Sequence, residues 1–138
     1  MNGVSTAESK AVVTFPPDAE AASLARRFVA DTLVGAAAES LSDIAVLLVS
    51  ELVTNAVVHA GSDVEVAVRL LPDSVRIEVV DRAPADLLRP STPAQDSESG
   101  RGLMLVETLA SAWGVEPLET GKAVWFEVPR LDRAEPIA

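Results

Sequence analysis

Two runs of strict alternation constrain this chain more than any other feature. Val64, Val66, Val68 and Leu70 alternate with Glu65, Ala67 and Arg69. After Leu71-Pro72-Asp73-Ser74, the residues Val75, Ile77 and Val79 alternate with Arg76 and Glu78. A period of two sends every second side chain to the same face of a strand. The turn residues between the runs predict an antiparallel hairpin that ends at Asp81. Its apolar face has to be covered, and the rest of the chain supplies helices for the purpose.

Leu24, Phe28, Leu33 and Val34 recur at helical spacing behind Asp18, which is placed to cap a first helix. Ser42 offers an N-cap and Asp43 complements the dipole of a second helix running to about His59, where Gly61 stops it. The apolar set of this helix is Ile44, Leu47, Leu48, Leu52, Val53, Ala56 and Val57, with Ala45 and Val49 filling in. Gly102 opens a third helix through Leu103, Leu105, Val106, Leu109 and Ala110. Ala11 to Phe15, stopped by Pro16-Pro17, predicts an opening strand. Trp113 to Val115 predicts a short one, and Val124, Phe126 and Val128 the inward side of the last. The expected fold is an α/β (α+β) two-layer sandwich, a mostly antiparallel sheet covered on one face by three helices. Residues 1–10 read as a flexible arm, 11–129 as the domain and 130–138 as a frayed tail. Between Arg82 and Gly100 the periodicity disappears for 19 residues, a length that in compact domains belongs to lids or disordered inserts.

Composition removes several classes of function. The 138 residues carry 11 basic and 21 acidic side chains, a net charge of −10, which repels phosphate backbones and anionic lipid. Direct nucleic-acid or membrane-surface binding is therefore not expected. The absence of cysteine excludes a thiol nucleophile and a thiolate metal site, and a single histidine excludes imidazole clusters. The polar start of the chain has no apolar leader region, and no stretch reaches 18 apolar residues, so a cytoplasmic protein is expected.

The second helix contains a polar anomaly. Glu51, Asn55 and His59 follow one another at i, i+4 and i+8, along one stripe of an otherwise apolar helix. Magnesium fits such a stripe, because it takes a few hard oxygen ligands from protein and the rest from water and phosphate. Asn55 can give one uncharged oxygen, and Glu51 can accept a proton from an attacking hydroxyl. A solvent-edge helix face with an ordinary Glu and Asn explains the same pattern. Asp81, directly after a strand, is placed to accept a hydrogen bond from an exocyclic amine, or to start a turn. Ser99-Gly100-Arg101-Gly102-Leu103 opens a helix with glycines that let backbone approach a phosphate, while Arg101 adds a charge; a plain loop-to-helix junction has the same composition. No GxxxxGK[ST] motif is present.

The order of these signals resembles the GHKL (Bergerat-fold) ATP-binding domain over residues 11–129: helix ELVTNAVVHA, hairpin, Asp81, long loop, GRGL at a helix start, closing strand with Trp125. It is most similar to the stand-alone branch of anti-sigma-factor serine/threonine kinases. The resemblance implies ATP and Mg2+ as cofactors, with Asn55 holding the metal and Glu51 as general base. It further implies Asp81 on the adenine amine, and Gly100, Arg101, Gly102 and Leu103 beside the phosphates as the hinge of a lid. His59 ends the same helix, either with a nucleotide-side role or as a plain helix-end residue, and Gly121 and Lys122 stand at the last turn before the final strand. Where the family's first glycine box runs Asp-x-Gly-x-Gly, this chain has Asp81-Arg82-Ala83-Pro84-Ala85.

Three readings follow. One is a kinase that phosphorylates a small antagonist protein and sequesters a sigma factor. Another is a nucleotide-gated protein-binding module without transfer. The third is a decayed relative that binds only protein. A homodimer is compatible with all three, as the branch often forms dimers.

Overall fold

The computed structural model describes residues 9–36, 38–82 and 104–130. In chain order the elements are β1 (Ser9–Phe15), α1 (Ala21–Gly35), a 3₁₀ turn (Glu39–Leu41), α2 (Ser42–Ala60), β2 (Val64–Leu70), β3 (Ser74–Asp81), a short helix α3 over 104–109, β4 (Ala112–Leu118) and β5 (Gly121–Pro129). The five strands form one sheet in the order β1-β2-β3-β5-β4, and all four pairings are antiparallel. The expected α+β two-layer sandwich is thus the observed architecture.

The alternation read from the sequence is the register of the core. Val64, Val66 and Val68 of β2, Val75, Ile77 and Val79 of β3, and Val124, Phe126 and Val128 of β5 are all buried beneath the helices. α2 covers them with Ala45, Leu48, Val49, Leu52, Val53 and Ala56. This helix is long and apolar enough to cross a membrane, with a mean hydropathy of 1.5. Here that apolarity is used as the core side of the helix layer. Val106 of α3 joins the same cluster.

The outward face of the sheet is finished with charge. Arg76 donates from Nε to Glu78 at 3.0 Å and from one terminal nitrogen to Glu127 at 3.3 Å, while Arg69 meets Glu78 at 3.3 Å. The Arg76 guanidinium also lies 4.0 Å from the ring centre of Trp125. That ring packs over Gly114 on the neighbouring strand, where a Cβ would come within 2.9 Å of it.

Four sequence expectations are corrected. First, α1 buries Ala21, Ala25, Val29 and Leu33, leaving Leu24 40% and Val34 59% exposed. The small alanines let the helix backbone approach its neighbours, so the bulkiest residues do not define its inner side. Second, the helix caps differ. Asp18 Oδ1 accepts from the Glu20 amide at 3.0 Å in the turn before α1, and the 3₁₀ turn leads straight into α2 with Leu41 at the N-cap, leaving Ser42 as the first helical residue. Gly61 does end α2 in the left-handed conformation, at φ 63°. Third, the strand expected at Trp113–Val115 extends to Leu118 through Pro117, which an edge strand tolerates.

The fourth correction concerns the two ends of the domain. β1 begins at Ser9, pairing Ser9 and Lys10 with Leu70 and Arg69. Arg130 is anchored: its amide donates to Asp73 O at 2.9 Å, and its guanidinium donates to Leu71 O at 3.1 Å and to Ala36 O, just past α1, at 3.4 Å. The remainder of the expected arm, tail and long loop lies outside the described residues. Because charged donors to carbonyls each contribute about 1.5–3 kcal/mol, Arg130→Met is expected to lower unfolding free energy by roughly that amount, read as a reduced urea midpoint at unchanged m-value.

Candidate functional site

Chain direction decides what meets at one end of this sandwich. α2 runs out to Gly61, β2 turns back at Val64, and β3 returns antiparallel so that Val80 faces Glu65 and Asp81 is the last residue of its strand. β5 starts at the same end, with Lys122 opposite Asp81. The C-terminal half of α2, the end of β3 and the start of β5 therefore converge. The Arg82 amide closes this end by donating to Ser62 Oγ at 3.2 Å.

On α2 the candidate stripe faces a definite direction. Ser50 Oγ accepts from Arg26 of α1 at 2.9 Å, which marks the flank of α2 turned towards α1. At about 100° per residue, Asn55 lies about 140° round the helix from Ser50. The stripe of Glu51, Asn55 and His59 is thus on the flank turned away from α1. Glu51 and Asn55 are half-buried and His59 is exposed. The Asn55 side-chain nitrogen is buried and has no hydrogen-bond partner among the described residues. A half-turn of the amide exchanges its nitrogen and oxygen at almost no steric cost, so the same place can present an oxygen. An uncommitted amide on an apolar helix fits a ligand site, since a buried polar group without a partner costs about 1–3 kcal/mol.

Among the described residues no group of three or more His, Asp or Glu could hold a metal on its own. A cation at Asn55 would be held mainly through phosphate oxygens and water, which is how magnesium usually binds beside nucleotides.

Asp81 is where the structure adds most to the sequence reading. Continuing the alternation of Val75, Ile77 and Val79, its side chain points inward and is 4% exposed. Lys122 continues Val124, Phe126 and Val128 in the same way and is also 4% exposed. Its Nζ donates to both carboxylate oxygens of Asp81, each at 2.8 Å. The sequence expectation of a turn at Gly121 and Lys122 is corrected: both belong to β5, paired with Leu118 and Pro117, and Lys122 also pairs with Asp81. The signal was nonetheless present, as a charged residue at an inward position in each of two neighbouring strands. Gly121 explains how the strands come so close: its φ is 150°, and a Cβ there would overlap the Asp81 carbonyl oxygen and come within 2.7 Å of Arg82 Cα.

A cavity of about 200 Å³ near this end is lined by Thr14, Asp63, Glu65, Val80, Asp81, Arg82, Leu118 and Thr120. Glu65 and Val80 are outward positions, so this cavity opens on the uncovered sheet face; Asp81 borders it, whereas Glu51, Asn55 and His59 do not. Gly100, Arg101, Gly102 and Leu103 lie outside the described residues.

The fold and this grouping agree with comparison to known families. The profile of the histidine kinase-like ATPase domain matches residues 15–128. The chain belongs to the histidine kinase-like ATPase family. It is accordingly an ATP-binding domain, and the match spans every described element from the end of β1 to β5. No curated protein gives a significant match. In this ATPase domain, Gly121→Ala is expected to push Asp81 and Arg82 off β5 and lower the melting temperature by several degrees, as overpacking costing about 1–3 kcal/mol would. Thermal unfolding followed by circular dichroism measures it.

Proposed function

We propose that this chain is an ATP-dependent regulator of the anti-sigma type, a cytoplasmic serine/threonine protein kinase that acts on a small antagonist protein and sequesters a sigma factor. The observation that carries the reading is the Glu51–Asn55–His59 stripe with its uncommitted amide, on the α2 flank turned away from α1 and within a histidine kinase-like ATPase fold.

When bound, ATP supplies the phosphoryl group and Mg2+ offsets the charge on its phosphates. The chain's own residues do the rest. Asp81, held at the strand end by the sheet, would accept a hydrogen bond from the adenine amine. Asn55 would give an oxygen to the metal. Glu51, about 6 Å along the helix from Asn55, takes the proton from the serine hydroxyl of the target. The sequence at Gly100, Arg101, Gly102 and Leu103 would offer backbone N–H groups and one positive charge to the phosphates.

A second reading, a nucleotide-gated protein-binding module without transfer, is favoured by one specific observation. Ala83 and Ala85 stand where the family's first glycine box has glycines. Alanine lacks the conformational freedom that glycine gives a backbone that must approach a ligand closely. Transfer of labelled γ-phosphate to serine-bearing antagonist proteins separates the two readings, since a binding module transfers none.

Two substitutions test the assigned roles. Asn55→Ala is expected to abolish the magnesium-dependent part of ATP binding with little change in unfolding free energy, and calorimetry with and without magnesium reads both. Glu51→Gln is expected to retain ATP binding and reduce phosphoryl transfer by about 10²–10⁴-fold, because the amide cannot take a proton. Unchanged transfer in that variant would remove Glu51 from the role of base.

A further inference from the structure

Among the described residues, Asp81 and Lys122 are the two buried charged side chains. They face each other as register partners across β3 and β5, and a single ammonium sits astride the carboxylate at 2.8 Å from each oxygen. Such a pair is a poor device for stability alone. Burying both charges costs much of what their attraction returns, and an apolar pair of the same size is often as stable or more so. The surrounding inward positions of both strands are valine, isoleucine and phenylalanine. Two charges at this end therefore ask for a reason at this end.

Geometry supplies one. A carboxylate on a single χ2 torsion is free to turn, and its torsional well is broad. A donor equidistant from both oxygens fixes that torsion. Gly121, immediately before Lys122, lets the Asp81–Arg82 backbone lie against β5, so main chain and side chain are held by the same two residues.

We propose that Lys122 is a positioning residue for base recognition: by clamping the Asp81 carboxylate it sets the direction in which an exocyclic amine is accepted, and with it the preference of this site for a 6-aminopurine over a 6-oxopurine. The inference rests on the nucleotide reading given above and deepens it. Lys122 itself need not touch the base. Its effect is on selectivity, which a residue serving only the fold would not alter.

The test is a calorimetric titration of the full chain with ATP and with inosine triphosphate, which carries a carbonyl oxygen in place of the 6-amine. The parent protein is expected to prefer ATP. Lys122→Met is expected to weaken ATP binding by about tenfold or more, the scale of one charge-assisted hydrogen bond, with inosine triphosphate affected far less, so that the ratio falls towards one. Because that variant leaves Asp81 opposite an apolar chain, Lys122→Arg is measured beside it. Arginine keeps the charge but holds a carboxylate through a planar fork, so a clamp predicts a changed ratio in this folded variant too. Parental ratios in the folded variants, whatever their melting temperatures, would overturn the proposal. Absence of nucleotide binding in the parent protein would overturn the nucleotide reading itself and the proposal with it. Loss of the ratio with ATP binding retained in the parent supports both.

Discussion

Everything at the candidate site depends on the register of β3 against β5. Val75, Val79, Val124 and Val128 are cross-strand partners in that ladder, and Ile77 faces Phe126 between them. A slip of β3 by one residue would turn Val75, Ile77 and Val79 to solvent and bring Arg76 and Glu78 beneath the helices. It would also separate Asp81 from Lys122. The hydrophobic pattern and the ion pair thus specify the same alignment. Once formed, the pair makes the alignment expensive to leave, because removing one partner of a buried pair costs about 3–5 kcal/mol.

The two faces of the sheet solve opposite problems. The inner face is packed by α1, α2 and α3 and excludes water, which makes a polar group there costly unless it has a partner. Asp81 and Lys122 hydrogen-bond to each other, and among the described residues the Asn55 side-chain nitrogen is a buried donor with no partner. The outer face carries Arg69, Arg76, Glu78 and Glu127 around Trp125. Partly exposed pairs of this kind contribute about 1 kcal/mol or less each. Their larger effect is to forbid this face from becoming the inner one.

Much of this was legible in the sequence, for identifiable reasons. The hairpin from Val64 to Asp81 was readable because its period is strict and its turn carries proline and aspartate. α2 was readable because Gly61 ends it and its apolar set is dense. The stripe of Glu51, Asn55 and His59 stood out because it is polar where the helix is otherwise apolar. What escaped was set by tertiary contact. The inner side of α1 runs Ala21, Ala25, Val29 and Leu33, so weight given to large residues alone also places Leu24 and Val34 inward. The helix caps were settled by a 3₁₀ turn and an aspartate two residues before the N-cap of α1. Arg130 reads as a tail residue until the Leu71 and Ala36 carbonyls are brought beside it. Lys122 is the instructive case. Its inward parity in β5 was visible, but only the sheet order, with β5 beside β3, shows that its partner is Asp81.

The family places ATP in this domain, and the geometry gathers a helix flank with an uncommitted amide and a clamped carboxylate around the same end of the sandwich. The account stands or falls on whether these groups meet the same ligand. Its most direct test is a calorimetric titration of the full chain with ATP, in the presence of magnesium and again with a chelator. The account predicts one site per chain with micromolar affinity that weakens markedly when magnesium is removed. Equal affinity in both conditions would contradict the part given to Asn55, and no heat of binding in either would contradict the central claim.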